Sequence, residues 1–200
     1  MGKYDFKTED GSVEFEILTF DPSYTITQYL DWLNMEDCQF EFYDESPWPV
    51  RGSFSVLLSL EESRQNLLSD FFSCGFLTIV SERFRQVVEE SRSNVEFIPV
   101  TILCGETGEF RFYGLHIMSI CDVLDRDASS FAGLKYGMVA GITSLKLKSA
   151  PTEDIVLLKD TFTPIMIVSD GLQNAIRKQN LRGMDFVPLE KYREDTSGVV

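Results

Sequence analysis

A single histidine in 200 residues removes most of the common catalytic machinery. A Ser–His or Cys–His pair would have to use His116, which sits in the apolar stretch GLHIMSI, and no G-x-S-x-G surrounds any serine. His116 is therefore read as a structural residue on a strand. No Gly-Lys-Ser/Thr follows a strand and no G-x-G-x-x-G opens a helix, so nothing in the chain is built to cradle a phosphate. The four cysteines, Cys38, Cys74, Cys104 and Cys121, form no C-x-x-C pair. With one histidine and no close ligand pair, neither a zinc site nor any other metal or cofactor is expected. Free thiols of a reducing compartment are expected instead.

Long hydrophobic runs are missing too. No apolar stretch approaches the roughly eighteen residues that a spanning helix needs. The opening MGKYDFKTEDGSVEFE has no apolar core of a signal peptide, which gives the expectation of a cytoplasmic protein. Bases are scarce and nowhere clustered, with 18 Lys and Arg against 32 Asp and Glu. That balance argues against nucleic acid and anionic membrane as partners and for a basic protein partner. The deficit is uneven: residues 1–62 hold 14 acids and 3 bases, whereas residues 63–200 hold 18 and 15. Acidic side chains in such numbers make any single carboxylate pair uninformative about hydrolytic chemistry. Asp122, Asp125 and Asp127 lack the spacing of a calcium loop and read as a helix end in solvent.

Against these deficits stand 16 Phe, 7 Tyr and a 44% hydrophobic composition, ample for a packed interior. Val13, Phe15 and Ile17 alternate with Glu14 and Glu16, as do Phe40 and Phe42 with Gln39, Glu41 and Tyr43, the period of half-buried strands. Ile26, Tyr29, Leu30 and Leu33 recur at helical spacing. Phe54 to Leu60 reads as a strand. Ser59-Leu60-Glu61-Glu62 has the form of a capping box, opening a helix that carries Leu67, Leu68 and Phe71 on one face. Residues 102–110 read as strand–turn–strand, Ile142 to Leu147 and Thr152 to Asp160 as further strands, and the tail after Leu189 as frayed.

The strongest pattern is an internal echo. Residues 76–100, FLTIVSERFRQVVEESRSNVEFIPV, are matched by residues 164–189, PIMIVSDGLQNAIRKQNLRGMDFVPL. Each runs from an apolar strand ending Ile-Val, through Ser and an acid, into an amphipathic helix and then a strand closing on Phe-x-Pro. Ser81 and Ser169 are the expected N-caps, with Glu82 and Asp170 at the positive ends of the helices. Phe84, Val87 and Val88 occupy the same offsets as Leu172, Ala175 and Ile176. The expected fold is α+β, with mixed or antiparallel sheets, few short helices and a duplicated strand–helix–strand unit. Its expected organisation is an acidic strand-rich region over 1–62, an α+β domain over 63–190 containing the repeat, and a polar tail over 191–200.

The runs LLSDFFSCGFLTIVSERFRQVVEE, VEFIPVTI, SICDVLDRDASSF and VLLKDTFTPIMIVSDGLQNAIRKQNLRGMDFVPL together resemble the imm-eleven family of bacterial immunity proteins. The likeness covers about residues 68–190. It rests on the doubled Ile-Val-Ser-acid motif, the Asp-Val-Leu-Asp segment and the closing Gly-x-x-Phe-x-Pro. What the resemblance implies is a cytoplasmic, non-enzymatic inhibitor that binds a cognate toxin of a polymorphic toxin system and occludes it. No catalytic residue is implied. The shared motifs are framework, so specificity would lie on the variable surface, and the charge asymmetry points to Glu14, Glu16, Glu41 and Tyr43 as the partner-binding face. Two other readings compete: a small carboxylate-dependent hydrolase, and a structural or regulatory subunit of a secretion or phage-related assembly.

Overall fold

The computed structural model of the chain describes residues 13–24, 26–34, 55–75, 77–106 and 108–194. The expected strand around Phe40 and Phe42, with Glu41, Tyr43 and Cys38, lies outside them.

In chain order the elements are β1 (Phe15–Phe20), β2 (Leu30–Trp32), β3 (Val56–Leu60), β4 (Phe71–Cys74), β5 (Leu77–Val80), α1 (Glu82–Glu89), β6 (Val95–Cys104) and β7 (Gly108–Ile117). There follow β8 (Ile120–Cys121), β9 (Ser130–Lys135), β10 (Met138–Ser144), β11 (Ile155–Leu158), β12 (Met166–Ser169), α2 (Asp170–Lys178) and β13 (Met184–Pro188). Strands dominate, helices are few and short, and the sheets are mixed. One sheet runs β2-β3-β6-β7-β5-β4 and another β13-β1-β12-β11-β8, with β9 and β10 forming a separate hairpin. Most pairings are antiparallel; β3 with β6 and β8 with β11 are parallel.

Three apolar clusters fill this framework. Leu58, Phe72, Leu77, Ile79 and Ile102 fill the concave side of the six-stranded sheet. That sheet curls until its two edge strands approach, with the Cys74 thiol 4.0 Å from the Leu30 carbonyl. Phe15, Ile17, Val156 and Ile167 pack beneath the β9–β10 hairpin through Val139 and Ile142. The third cluster joins the sheets: Phe71, Val80 and Leu115 from one, and Leu18, Leu157 and Val168 from the other, meet around Phe84, Val88, Leu172 and Ile176 of the helices. Wholly buried side chains such as Phe84 and Leu172 contribute roughly 1.5–3 kcal/mol each by leaving water.

β5-α1-β6 and β12-α2-β13 are the two passages of the echo, and their surroundings correspond. The parallel strands β5 and β6 flank the antiparallel β7, as β12 and β13 flank β1. β4 pairs antiparallel with the outer side of β5, as β11 does with β12. The passages differ at their ends. β13 stops at Pro188, but β6 runs on past Pro99 to Cys104, where β3 supplies the neighbouring strand from Val100 onward.

Both predicted caps are formed. The Ser81 hydroxyl accepts the Phe84 amide and the Ser169 hydroxyl the Leu172 amide, each at 3.2 Å. Replacing Ser81 with alanine is expected to cost about 1 kcal/mol. Both hydroxyls also donate to a buried aspartate, Ser81 to Asp70 and Ser169 to Asp154, but Ser169 is wholly buried and Ser81 only half-buried, so loss of Ser169 should cost more, about 2 kcal/mol. Equilibrium urea unfolding of the two variants gives the order, and equal losses would show that the deeper burial of Ser169 adds nothing.

Elsewhere tertiary contacts overrule local signals. The helix expected over Ile26–Leu33 is one 3-10 turn, Thr27–Tyr29, because Leu30 instead pairs with Leu60 across β2 and β3. The capping box at Ser59–Glu62 does not form: Ser59 and Leu60 stay in β3, paired with β6. A 3-10 helix, Glu62–Leu67, follows with no side-chain cap, and Phe71 belongs to β4. Asp125 closes no helix; its carboxylate accepts the amides of Asp127 and Ala128 and holds a turn before β9. Nor does the chain fray directly after Leu189. A 3-10 turn, Leu189–Lys191, leads to Glu194, whose amide and carboxylate both bond Ile142 of β10. Burial beside that strand pushes the Tyr192 hydroxyl up to about 12. Cys74, Cys104 and Cys121 are not in disulfides, and burial raises the Cys74 thiol to about 11, which leaves it inert as a nucleophile.

Candidate partner-binding surface

Glu14 and Glu16 lie where β1 enters its sheet, and the structure gives them different environments. Glu14 is exposed, while its carbonyl accepts the first amide of α2, from Asp170. Glu16 is half-buried because β1 is covered on both sides: Phe15 and Ile17 face the hairpin cluster, while Glu16 and Leu18 face the helices. Its carboxylate accepts a hydrogen bond from Gln173 of α2 and lies 3.9 Å from the Arg177 guanidinium. Glu16 thus helps dock α2, a role that the alternating pattern alone does not reveal.

Glu14 and Glu16 both line an open cleft of about 600 Å³ at this end of the sheet, although the Glu16 carboxylate itself is turned to α2. Val13 and Leu189 supply apolar lining, Glu190 a third carboxylate, and Lys148 the opposing charge. Lys148 is itself engaged, 2.9 Å from Asp122, and this pairing lowers the Asp122 carboxyl below its usual range. The cleft therefore offers acids to a partner with its one lysine already committed elsewhere. Glu190 is the residue the sequence reading missed, since it lies 174 positions from Glu16 and meets it only through the β1–β13 pairing.

A second surface stands at the other end of β10. Lys135 pairs with Met138, leaving Tyr136 and Gly137 as a two-residue hairpin loop with φ of +53° and +83°. Both values are positive, as the turn type that matches strand twist demands, and Asn or Gly is the usual occupant. A tyrosine in this conformation is strained by about 1–2 kcal/mol. Tyr136 is 85% exposed, and Leu134 at 62% and Phe162 at 37% are exposed too.

His116 is wholly buried in β7, with Nδ1 3.6 Å from the Glu96 carboxylate on β6. Among the described residues, no three His, Cys, Asp or Glu side chains are arranged to hold a metal ion, and no helix is long and apolar enough to cross a membrane.

No curated protein matches the chain. A family model does, described as the immunity protein family Imm11, over residues 22–191. The match begins well before residue 68, so β2 and β3 are included with the echoed passages and the segments between them. With 170 of 200 positions inside that match, the chain belongs to the Imm11 family of immunity proteins.

Proposed function

We propose that this protein protects its cell by binding a cognate toxin domain in the cytoplasm and covering the toxin's working face, without catalysis of its own. The observation that carries this reading is the family match across residues 22–191. The charge of −14 supports a basic toxin as the partner, because a field of that size accelerates encounter with an oppositely charged protein. The cleft at Glu14 and Glu190 supports a contact there. Glu41 and Tyr43, which lie outside the described residues, are kept as proposed partner-binding residues on the charge asymmetry of the chain alone.

Glu16 is a poor choice for testing electrostatics, since reversing it would also disturb α2. Glu14→Lys combined with Glu190→Lys changes the field and leaves that docking intact. The double variant is expected to associate roughly three- to tenfold more slowly at low salt, with a flatter salt dependence. Stopped-flow binding to the toxin domain encoded beside this chain's gene reads both quantities. An unchanged on-rate and salt slope would place the contact elsewhere, whereas failure of the wild type to bind or protect would end the immunity reading.

We further infer that β4-β5-α1-β6 and β11-β12-α2-β13 are two copies of one unit. The matching strand orders support this, as do reciprocal bonds through two buried aspartates. Asp70 accepts the Ser81 hydroxyl at the start of α1 and the Arg182 amide after α2. Asp154 accepts the Ser169 hydroxyl at the start of α2 and the Arg92 amide after α1. Each aspartate also exchanges its own amide with the carbonyl of that same arginine, Arg182 or Arg92.

A further inference from the structure

The tip of the β9–β10 hairpin is an anchor aimed outward, with no folding task that explains its composition. The turn at Tyr136-Gly137 asks for Asn or Gly at its first position, and a tyrosine there strains the backbone. The residue gains little burial in return, being 85% exposed. The Phe162 ring lies 6.3 Å away, and Leu134 of β9, two positions before Tyr136, is exposed as well. The knob is held in place from behind. The Val139 amide donates to the Asp160 carbonyl and the Phe162 amide to the Val139 carbonyl, so the segment carrying Phe162 is laced to β10.

Charge at the tip differs from that of the chain. Lys135 lies 4.3 Å over the Phe162 ring, and Arg126 and Asp160 neutralise each other at 2.8 Å. This aromatic knob, left with the single positive charge of Lys135 on a chain of net charge −14, has the composition of an interface centre, where aromatics are enriched and acidic residues depleted. Three side chains are too few to hold two copies of the chain together, since a stable interface buries about 800 Å² on each partner. They suffice for an anchor within a larger interface. β10 spans about 20 Å between the tip and the end that leads to the acidic cleft, a distance one such interface covers.

We propose that Tyr136, flanked by Leu134 and Phe162, is the hot spot of the toxin interface and inserts into an apolar pocket of the toxin. A hydrogen-bond acceptor in that pocket meets the tyrosine hydroxyl, and carbonyl or carboxylate oxygens at its rim meet Lys135. This assignment rests on the immunity reading and names the surface through which it acts. The acidic cleft governs the rate of encounter; the tip governs how long the complex lasts.

The test is Tyr136→Asn, with Phe162→Ser as an independent variant, measured against the catalytically inactivated toxin domain encoded beside this chain's gene. Asparagine suits the positive φ, so the melting temperature should equal or exceed that of the wild type. Binding should weaken about 30-fold, mostly through faster dissociation, and protection on co-expression with active toxin should fall in parallel. A folding role predicts the opposite pairing, lower stability with intact affinity, and that result would overturn the proposal. Wild-type affinity in both variants while the wild type still protects would also overturn it and leave the immunity reading standing. If the wild type itself neither binds nor protects, both readings fall. Sedimentation of the free chain tests the remaining occupant: a dimer dissociated by Tyr136→Asn would assign the tip to a second copy and refute the toxin contact.

Discussion

Gly183→Ala is expected to destabilise the protein by about 4 kcal/mol, a large share of the roughly 5–15 kcal/mol that holds a typical domain. Gly183 opens the Gly-x-x-Phe-x-Pro motif and has a φ of +96°. A Cβ there would stand 2.2 Å from the Phe71 carbonyl and 2.3 Å from the Ser69 hydroxyl. Neither obstacle is the movable end of a flexible side chain. The first is backbone of β4, and the Ser69 hydroxyl is itself bonded to that carbonyl. Relieving the overlap means separating β4 from the strand that leads into β13, where the two sheets meet. The melting temperature should fall by about 8–16 °C. Gly133→Ala is the control, since its Cβ would meet nothing within 4 Å and it lies in regular β9 backbone. Equal melting temperatures for Gly183→Ala and Gly133→Ala would refute this account of the motif.

The second large effect is at Asp154, which is 2% exposed and whose carboxylate makes three contacts. The Ser169 hydroxyl donates at 2.8 Å, the Arg92 amide at 2.8 Å, and the Arg92 guanidinium lies at 3.1 Å. Asp154→Ala leaves the buried Ser169 hydroxyl and the partly buried Arg92 amide without their acceptor, for an expected loss of about 3 kcal/mol. Asp154→Asn should lose less than half of that. Its carbonyl can still accept the Arg92 amide, and its amide can donate to a Ser169 hydroxyl that rotates to accept. Asp70→Ala should follow the same pattern more weakly, because its arginine partner, Arg83, is farther away at 3.7 Å. Urea unfolding of the three variants ranks them, and a loss at Asp154→Asn as large as at Asp154→Ala would show that charge rather than hydrogen bonding is decisive.

Both predictions concern residues that the sequence reading singled out unevenly. Gly183 belonged to a recognised motif, but its reason for being glycine lies in Phe71, 112 residues away. Asp70 and Asp154 carry no local signal at all. Asp70 sits between Leu67-Leu68-Ser69 and Phe71-Phe72, Asp154 directly before Ile155-Val156, and each becomes legible only when the end of the opposite helix arrives beside it. The hairpin tip was half legible: the Gly in Lys-Tyr-Gly-Met announces a turn, but not that Tyr136 takes a positive φ or stays bare.

Misreadings came from short segments where local preference is worth little. The capping box at Ser59–Glu62 offers two side-chain hydrogen bonds, against the run of ladder bonds that β3 gains from β6. Leu30 likewise leaves the helical period of Ile26, Tyr29, Leu30 and Leu33 for a place in the interior of the curled sheet. Glu16 was read as free surface because its strand alternates, and only the packing of α2 above it converts it into a docking group.

The sequence alone determined the two helices, their serine caps and their buried faces, because those depend on interactions within four residues of one another. It also determined the excess of acid and the family, since composition and motif order survive without coordinates. Tertiary structure alone decided which strands lie side by side, that β1 and β7 each run between two parallel strands, that Asp70 and Asp154 lace each helix to the other's end, and that Glu190 joins Glu14 while Tyr136 remains exposed. Those are contacts between residues tens to more than a hundred positions apart, and their energy exists only once the chain between them has been folded back.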